Sequence, residues 1–75
     1  MTREEIIDLA TDEYAFACDG QKPADRAAAV CLRADALESS AERELRAMGW
    51  TAYTQDDRRE VAKEMRRMAQ FETGE

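Results

Sequence analysis

The chain has 75 residues, a formal net charge of −6 and no histidine. A chain this short buries only roughly 60% of the surface its unfolded form exposes, which leaves room for one small core and little for a deep substrate cleft. Its acidity, with a pI of about 4.6, repels phosphate backbones, so direct nucleic-acid binding starts at a disadvantage and basic partners or plain solubility come first.

Helix formers dominate, glycine (three) and proline (one) are scarce, and the few β-branched residues argue against a sheet. The expected fold is all-α, a single helical domain over residues 1–75. No apolar run approaches a membrane span. The start, Met1-Thr2-Arg3-Glu4-Glu5, reads as an acidic helix and not as a signal peptide. A cytoplasmic protein with reduced cysteines is expected.

Helix one is predicted from Arg3 to Cys18. Thr2 is its N-cap and Glu5, three residues on, completes a capping box. Its apolar face is Ile6, Ala10, Tyr14, Ala17 and Cys18, widened by Ile7, Leu9 and Phe16. Asp19-Gly20 ends it, with glycine free to turn left-handed.

Helix two is predicted from Pro23 to Met48 and organises the rest. Ala27, Val30, Cys31, Ala34, Leu37, Ala41, Leu45 and Met48 recur in steps of three and four, which draws one apolar stripe. Proline suits the first helical position. Ser39-Ser40-Ala41-Glu42 also reads as a second capping box that would split the stretch. The stripe runs through it in phase, which favours one long helix with at most a kink near Ser39. Gly49 fits the position just past the end, with Trp50 folding back on Leu45 in a Schellman cap.

Helix three is predicted from Gln55 to Phe71, capped by Thr54, with Val61, Met65, Met68 and Ala69 inward. Glu60–Lys63 and Glu64–Arg67 are spaced to pair along it. The tail 73–75 is expected to fray. The three helices make a small antiparallel bundle with Trp50, Tyr53, Phe16 and Phe71 closing its ends.

The absence of histidine removes the usual general base, the usual catalytic triads and most metal sites. Cys18 and Cys31 lack metal-ligand spacing and fall at different heights of the first hairpin, about 12 Å apart along helix two, so neither a disulfide nor a metal is expected. Both read as small core residues. No phosphate loop or calcium loop is present. No enzyme activity and no cofactor are expected.

Charge is the informative feature. Residues 1–20 hold six acids against one base, whereas the remaining fifty-five nearly balance. The acids Glu5, Asp8, Asp12 and Glu13 read as a stripe that docks on the basic surface of a protein partner, with Tyr53 as an aromatic anchor. The plainer reading is a solvated face partly neutralised by Arg59, Lys63, Arg66 and Arg67 of helix three. Two alternatives stand beside docking. Helix three could read DNA through its arginines, or the alanines of helix two could pack in a homodimer or larger structural module.

In size, lack of catalytic residues and the acidic stripe Glu5, Asp8, Asp12 and Glu13, the chain resembles the small acidic accessory proteins that bacteriophages encode, anti-CRISPR proteins among them. The resemblance implies a stoichiometric inhibitor that occupies a basic surface of a nucleic-acid-handling complex. It carries over no individual residue, because such proteins share no common motif.

Overall fold

The computed structural model describes residues 1–73, and the side chains of residues 1–71. It is all-helical: α1 (Arg3–Cys18), a single 3₁₀ turn (Pro23–Asp25), α2 (Arg26–Ser39), α3 (Glu42–Met48) and α4 (Gln55–Thr73). Among the described residues there is no strand. Gly74 and Glu75 of the tail expected to fray lie outside the described residues.

Helix α1 begins as its sequence dictates. The Glu5 N–H donates to the Thr2 hydroxyl oxygen at 3.2 Å, and the Thr2 N–H donates to the Glu5 carboxylate at 2.8 Å. The bond from the Thr2 backbone, then that with its side chain, holds the Glu5 carboxyl below the usual carboxylate range. At the other end Gly20 takes φ +78°.

The long second helix is not continuous. Ser40 and Ala41 are both extended, with ψ of 149° and 162°, and the chain restarts as α3. Three effects favour the break, two of them local. The Ser39 hydroxyl donates back to the Asp35 carbonyl at 2.7 Å, a bond that bends helices. Glu44 accepts the Ala41 N–H at 3.0 Å, half of a capping box that alanine cannot complete. Finally, Arg58 of α4 donates through Nε to the Leu37 carbonyl at 3.1 Å and through Nη1 to the Tyr53 carbonyl at 2.7 Å. Leu37 lies in the last turn of α2, where carbonyls lack helical partners and a cation is favoured. The in-phase stripe misled because periodicity counts residues, not direction. Two extended residues re-aim the chain, leaving Ala41 exposed while Leu45 still reaches the core.

Helix α3 closes in the Schellman cap expected of Gly49. Gly49 takes φ +80°, its N–H donates to the Arg46 carbonyl, and the Trp50 N–H donates to the Leu45 carbonyl at 2.8 Å. Leu45 and Trp50 are both buried. Helix α4 is capped by Thr54, whose hydroxyl accepts the Asp57 N–H at 3.1 Å.

The core joins Ile6 and Ala10 of α1, Val30, Ala34 and Leu37 of α2, Leu45 and Trp50, and Val61, Ala62, Met65 and Ala69 of α4. Helix α4 packs on both α1 and α2, most extensively on α2. Ala34 of α2 and Ala62 and Ala69 of α4 all belong to this core, so the alanines of α2 serve this chain's own core at Ala34. Glu64 of α4 is also buried and is held by Arg3, at the start of α1, at 3.0 Å and by Arg67 at 3.7 Å. The aromatic residues do not all close the bundle ends. Trp50 and Tyr53 pack together, centroids 4.9 Å apart, but Phe16 is 65% and Phe71 82% exposed.

Two predictions follow from these caps. Gly49→Ala should destabilise the chain by about 1 kcal/mol through the left-handed backbone alone, since nothing lies within 4 Å of the added Cβ; a urea midpoint no lower than that of the parent would refute this. The depressed Glu5 carboxyl stabilises α1 fully at neutral pH, and this contribution is lost as pH falls through its lowered folded-state value. Glu5→Gln should therefore flatten part of the acid limb of stability against pH, measured by helicity. An unchanged limb would show that the box contributes nothing.

Candidate functional site

One turn of α1 is about 3.6 residues, so neighbouring residues point about 100° apart. Glu4, Asp8 and Asp12, each four apart, therefore share one side, which Glu5 flanks. That side is opposite Ile6 and Ala10, and all four acids are exposed. Asp8 and Asp12 form no ion pair or hydrogen bond among the described residues. Glu13 belongs elsewhere. It stands three residues after Ala10 and four before Ala17, on the inward side, and is only 15% exposed at its side chain.

The Glu13 carboxylate joins three parts of the chain. Its Oε1 accepts from Arg33 Nε of α2 at 2.6 Å, and its Oε2 accepts from the Trp50 indole Nε1 at 3.0 Å. The Arg33 guanidinium also covers the Phe16 ring, 4.7 Å from its centroid, and sends Nη1 to the Met48 sulfur at 3.2 Å. A buried indole N–H needs an acceptor, and a half-buried carboxylate needs a cation. Glu13 and Arg33 answer both needs together. The sequence expectation that Glu13 belongs to a docking stripe does not match this placement. The signal was its register with Ala10 and Ala17, which the run Asp12-Glu13 obscured.

Tyr53 is likewise half-buried, with its ring packed against Trp50. The structure thus sets Glu4, Asp8 and Asp12 on one side of α1 with Glu5 at its edge, turns Glu13 inward and packs Tyr53 on Trp50.

The cations of α4 do not neutralise this face. Arg66 reaches the carboxylates of Asp35 and Glu38 on α2, the latter at 2.6 Å. The Glu38 bond, then that of Asp35, raises its pKa above its already high ordinary value. Arg58 holds backbone carbonyls. Arg59 and Arg67 pair with Asp56 and Glu64 of their own helix, each at 3.7 Å. Arg59, Lys63, Arg66 and Arg67, with Glu38 and Gln70, line an open groove beside α2.

Cys18 is half-buried against the core, as expected of it. Cys31 is exposed, contrary to the core position read from the stripe. It lies at the stripe's edge, where a second shallow groove is lined by Ala27, Arg66 and Gln70. Both thiols are free. Among the described residues no three histidine, cysteine or carboxylate side chains converge as metal ligands, and no helix is long and apolar enough to cross a membrane.

No protein-family model, no curated protein and no solved structure matches the chain.

Removing the Glu13 carboxylate leaves both the indole N–H and the guanidinium without their acceptor. Glu13→Ala should destabilise by about 2 kcal/mol, and Glu13→Gln, which keeps one acceptor oxygen, by less. Chemical unfolding followed by Trp50 fluorescence measures both. Equal stability of parent and Glu13→Ala would deny the network its role.

Proposed function

We propose that this chain is a non-enzymatic binding protein that docks the exposed acidic face of α1 on a basic surface of a nucleic-acid-handling protein. The observation that carries this reading is the charge of Glu4, Asp8 and Asp12, none of which has a side-chain partner among the described residues, with the capping residue Glu5 beside them. They lie on one side of a folded helix, away from the core, while Arg3, Arg33, Arg58 and Arg66 hold other acids or carbonyls. A solvated face needs no such segregation, because pairing along or between helices is available elsewhere in the same chain. Carboxylates one helical turn apart, about 6 Å along the axis, offer a row of negative charge to a groove built for phosphates. Such a row speeds association and makes it salt-sensitive. Occupying the groove would exclude nucleic acid, the action of the anti-CRISPR-type inhibitors that the sequence resembles. In this reading Glu13 contributes by fixing the orientation of α1, and Tyr53 by packing Trp50 rather than by anchoring the partner.

The test is capture of a nucleic-acid-handling protein from host lysate by the immobilised chain at about 0.1 M and about 1 M salt. Between these the Debye length falls from about 10 to about 3 Å. Capture should occur at the lower salt, fail at the higher, and be lost when Asp8→Lys and Asp12→Lys are combined, with helicity unchanged. Capture that survives the double charge reversal would rule out acidic docking.

A further inference from the structure

One outward row of α1 and one of α4 carry the same pattern with opposite charge, the row of α4 being flanked by the exposed acids Asp56 and Glu60. Every fourth residue of α1 reads Glu4, Asp8, Asp12, Phe16; every fourth residue of α4 reads Arg59, Lys63, Arg67, Phe71. All of these residues are exposed, and the two rings are left 65% and 82% open. Residues four apart form the ridges that interdigitate in the commonest class of helix packing.

Within one molecule the rows do not meet. Each faces away from its own core, α1 opposite Ile6 and Ala10, α4 opposite Val61 and Met65. Asp8 and Asp12 lack partners among the described residues. Arg59 and Arg67 have only long contacts, 3.7 Å, to acids of their own helix. Exposed pairs of that kind hold weakly and are readily exchanged.

We propose that the outward face of α4 is a docking surface for the outward face of α1 from a second copy of this chain. The helices run parallel, because only that direction sets Glu4 against Arg59, Asp8 against Lys63, Asp12 against Arg67 and Phe16 against Phe71. An antiparallel pair would set each ring against a charge at the other row's start. The contact is heterologous, with one α1 face and one α4 face per copy, so it builds chains or a closed ring rather than an isologous dimer. One helix pair covers less than the about 1,200–2,000 Å² of a stable interface. The association is therefore weak and concentration-dependent. It draws on the acidic row of the proposed function but needs no other protein, and it would hold that row covered until a basic partner displaces the second copy.

Sedimentation equilibrium of the purified chain tests this. At about 0.1 M salt the mean mass should rise with concentration above the 8.5 kDa of one chain, and about 1 M salt, with its Debye length of about 3 Å, should weaken the association by about tenfold or more. The pair Asp8→Lys with Asp12→Lys should be monomeric, and so should Arg59→Glu with Lys63→Glu, both with parental helicity. An equimolar mixture of the two variants should associate again, because each supplies the face the other has reversed. A monomeric parent, a charge-reversed variant that associates like the parent, or a mixture that stays monomeric would each overturn the inference. A monomeric parent would leave the heterologous partner reading untouched, since that is read from capture of another protein.

Discussion

The Glu13 carboxylate accepts from Arg33 with one oxygen and from the Trp50 indole with the other, and the three groups come from α1, α2 and the turn that follows α3. Each makes the next tolerable. Trp50 is nearly fully buried, and its N–H would lose water without a replacement unless an acceptor met it. Glu13 meets it, and Arg33 compensates the charge of Glu13. The same guanidinium covers one face of Phe16 and touches Met48. A domain of this size has a small core and a modest reserve of stability. One satisfied polar cluster at the junction of its shortest helix is therefore a large part of what fixes the arrangement.

That cluster also divides α1 into two functions. Its inward side supplies Ile6, Ala10 and Glu13 to the fold, and its outward side supplies Glu4, Asp8 and Asp12 to solvent. The other cationic anchors reinforce the division. Arg3 ties α1 to the buried Glu64, Arg66 ties α4 to α2, and Arg58 closes the end of α2. Four arginines thus act within the fold, and none of them quiets the outward acids. Negative charge on one helix and available positive charge on another make the molecule electrically lopsided, which suits it to oriented, salt-sensitive contacts.

Local chemistry was legible in the sequence. The Thr2–Glu5 box, the left-handed Gly49 with its Trp50 return and the Thr54 cap depend on residues within a few positions, and each formed as its pattern dictates. So did the inward face of α4 and, on α1, the positions Ile6, Ala10, Tyr14, Ala17 and Cys18, whereas Ile7, which was expected to widen that face, is exposed. The break after Ser39 was written in the same local language, but the apolar stripe spoke against it. Periodicity is blind to a change in chain direction, whereas Arg58, distant in sequence, supplies the carbonyl partner that makes the break stable. Pairings such as Glu13 with Trp50, thirty-seven residues apart, leave no sequence period at all. Of the proposed docking face, Glu5, Asp8 and Asp12 were legible as exposed acids. Glu13 was misplaced because adjacency along the chain resembles adjacency in space only until a helix turns it by about 100°. Phe16 and Phe71 were misplaced because a large apolar residue favours burial without requiring it.

The central claim is that Glu13 faces inward and holds Trp50, leaving the acids of α1 that face outward free. Hydrogen exchange at the Trp50 indole N–H, followed by NMR at neutral pH, tests it most directly. The account predicts that this proton exchanges as slowly as the amides of the α2–α4 core, because it is buried and bonded to a carboxylate. Exchange at the rate of a solvent-exposed indole would mean that Glu13 does not hold it, and the division of α1 into an inward and an outward face would fall with it.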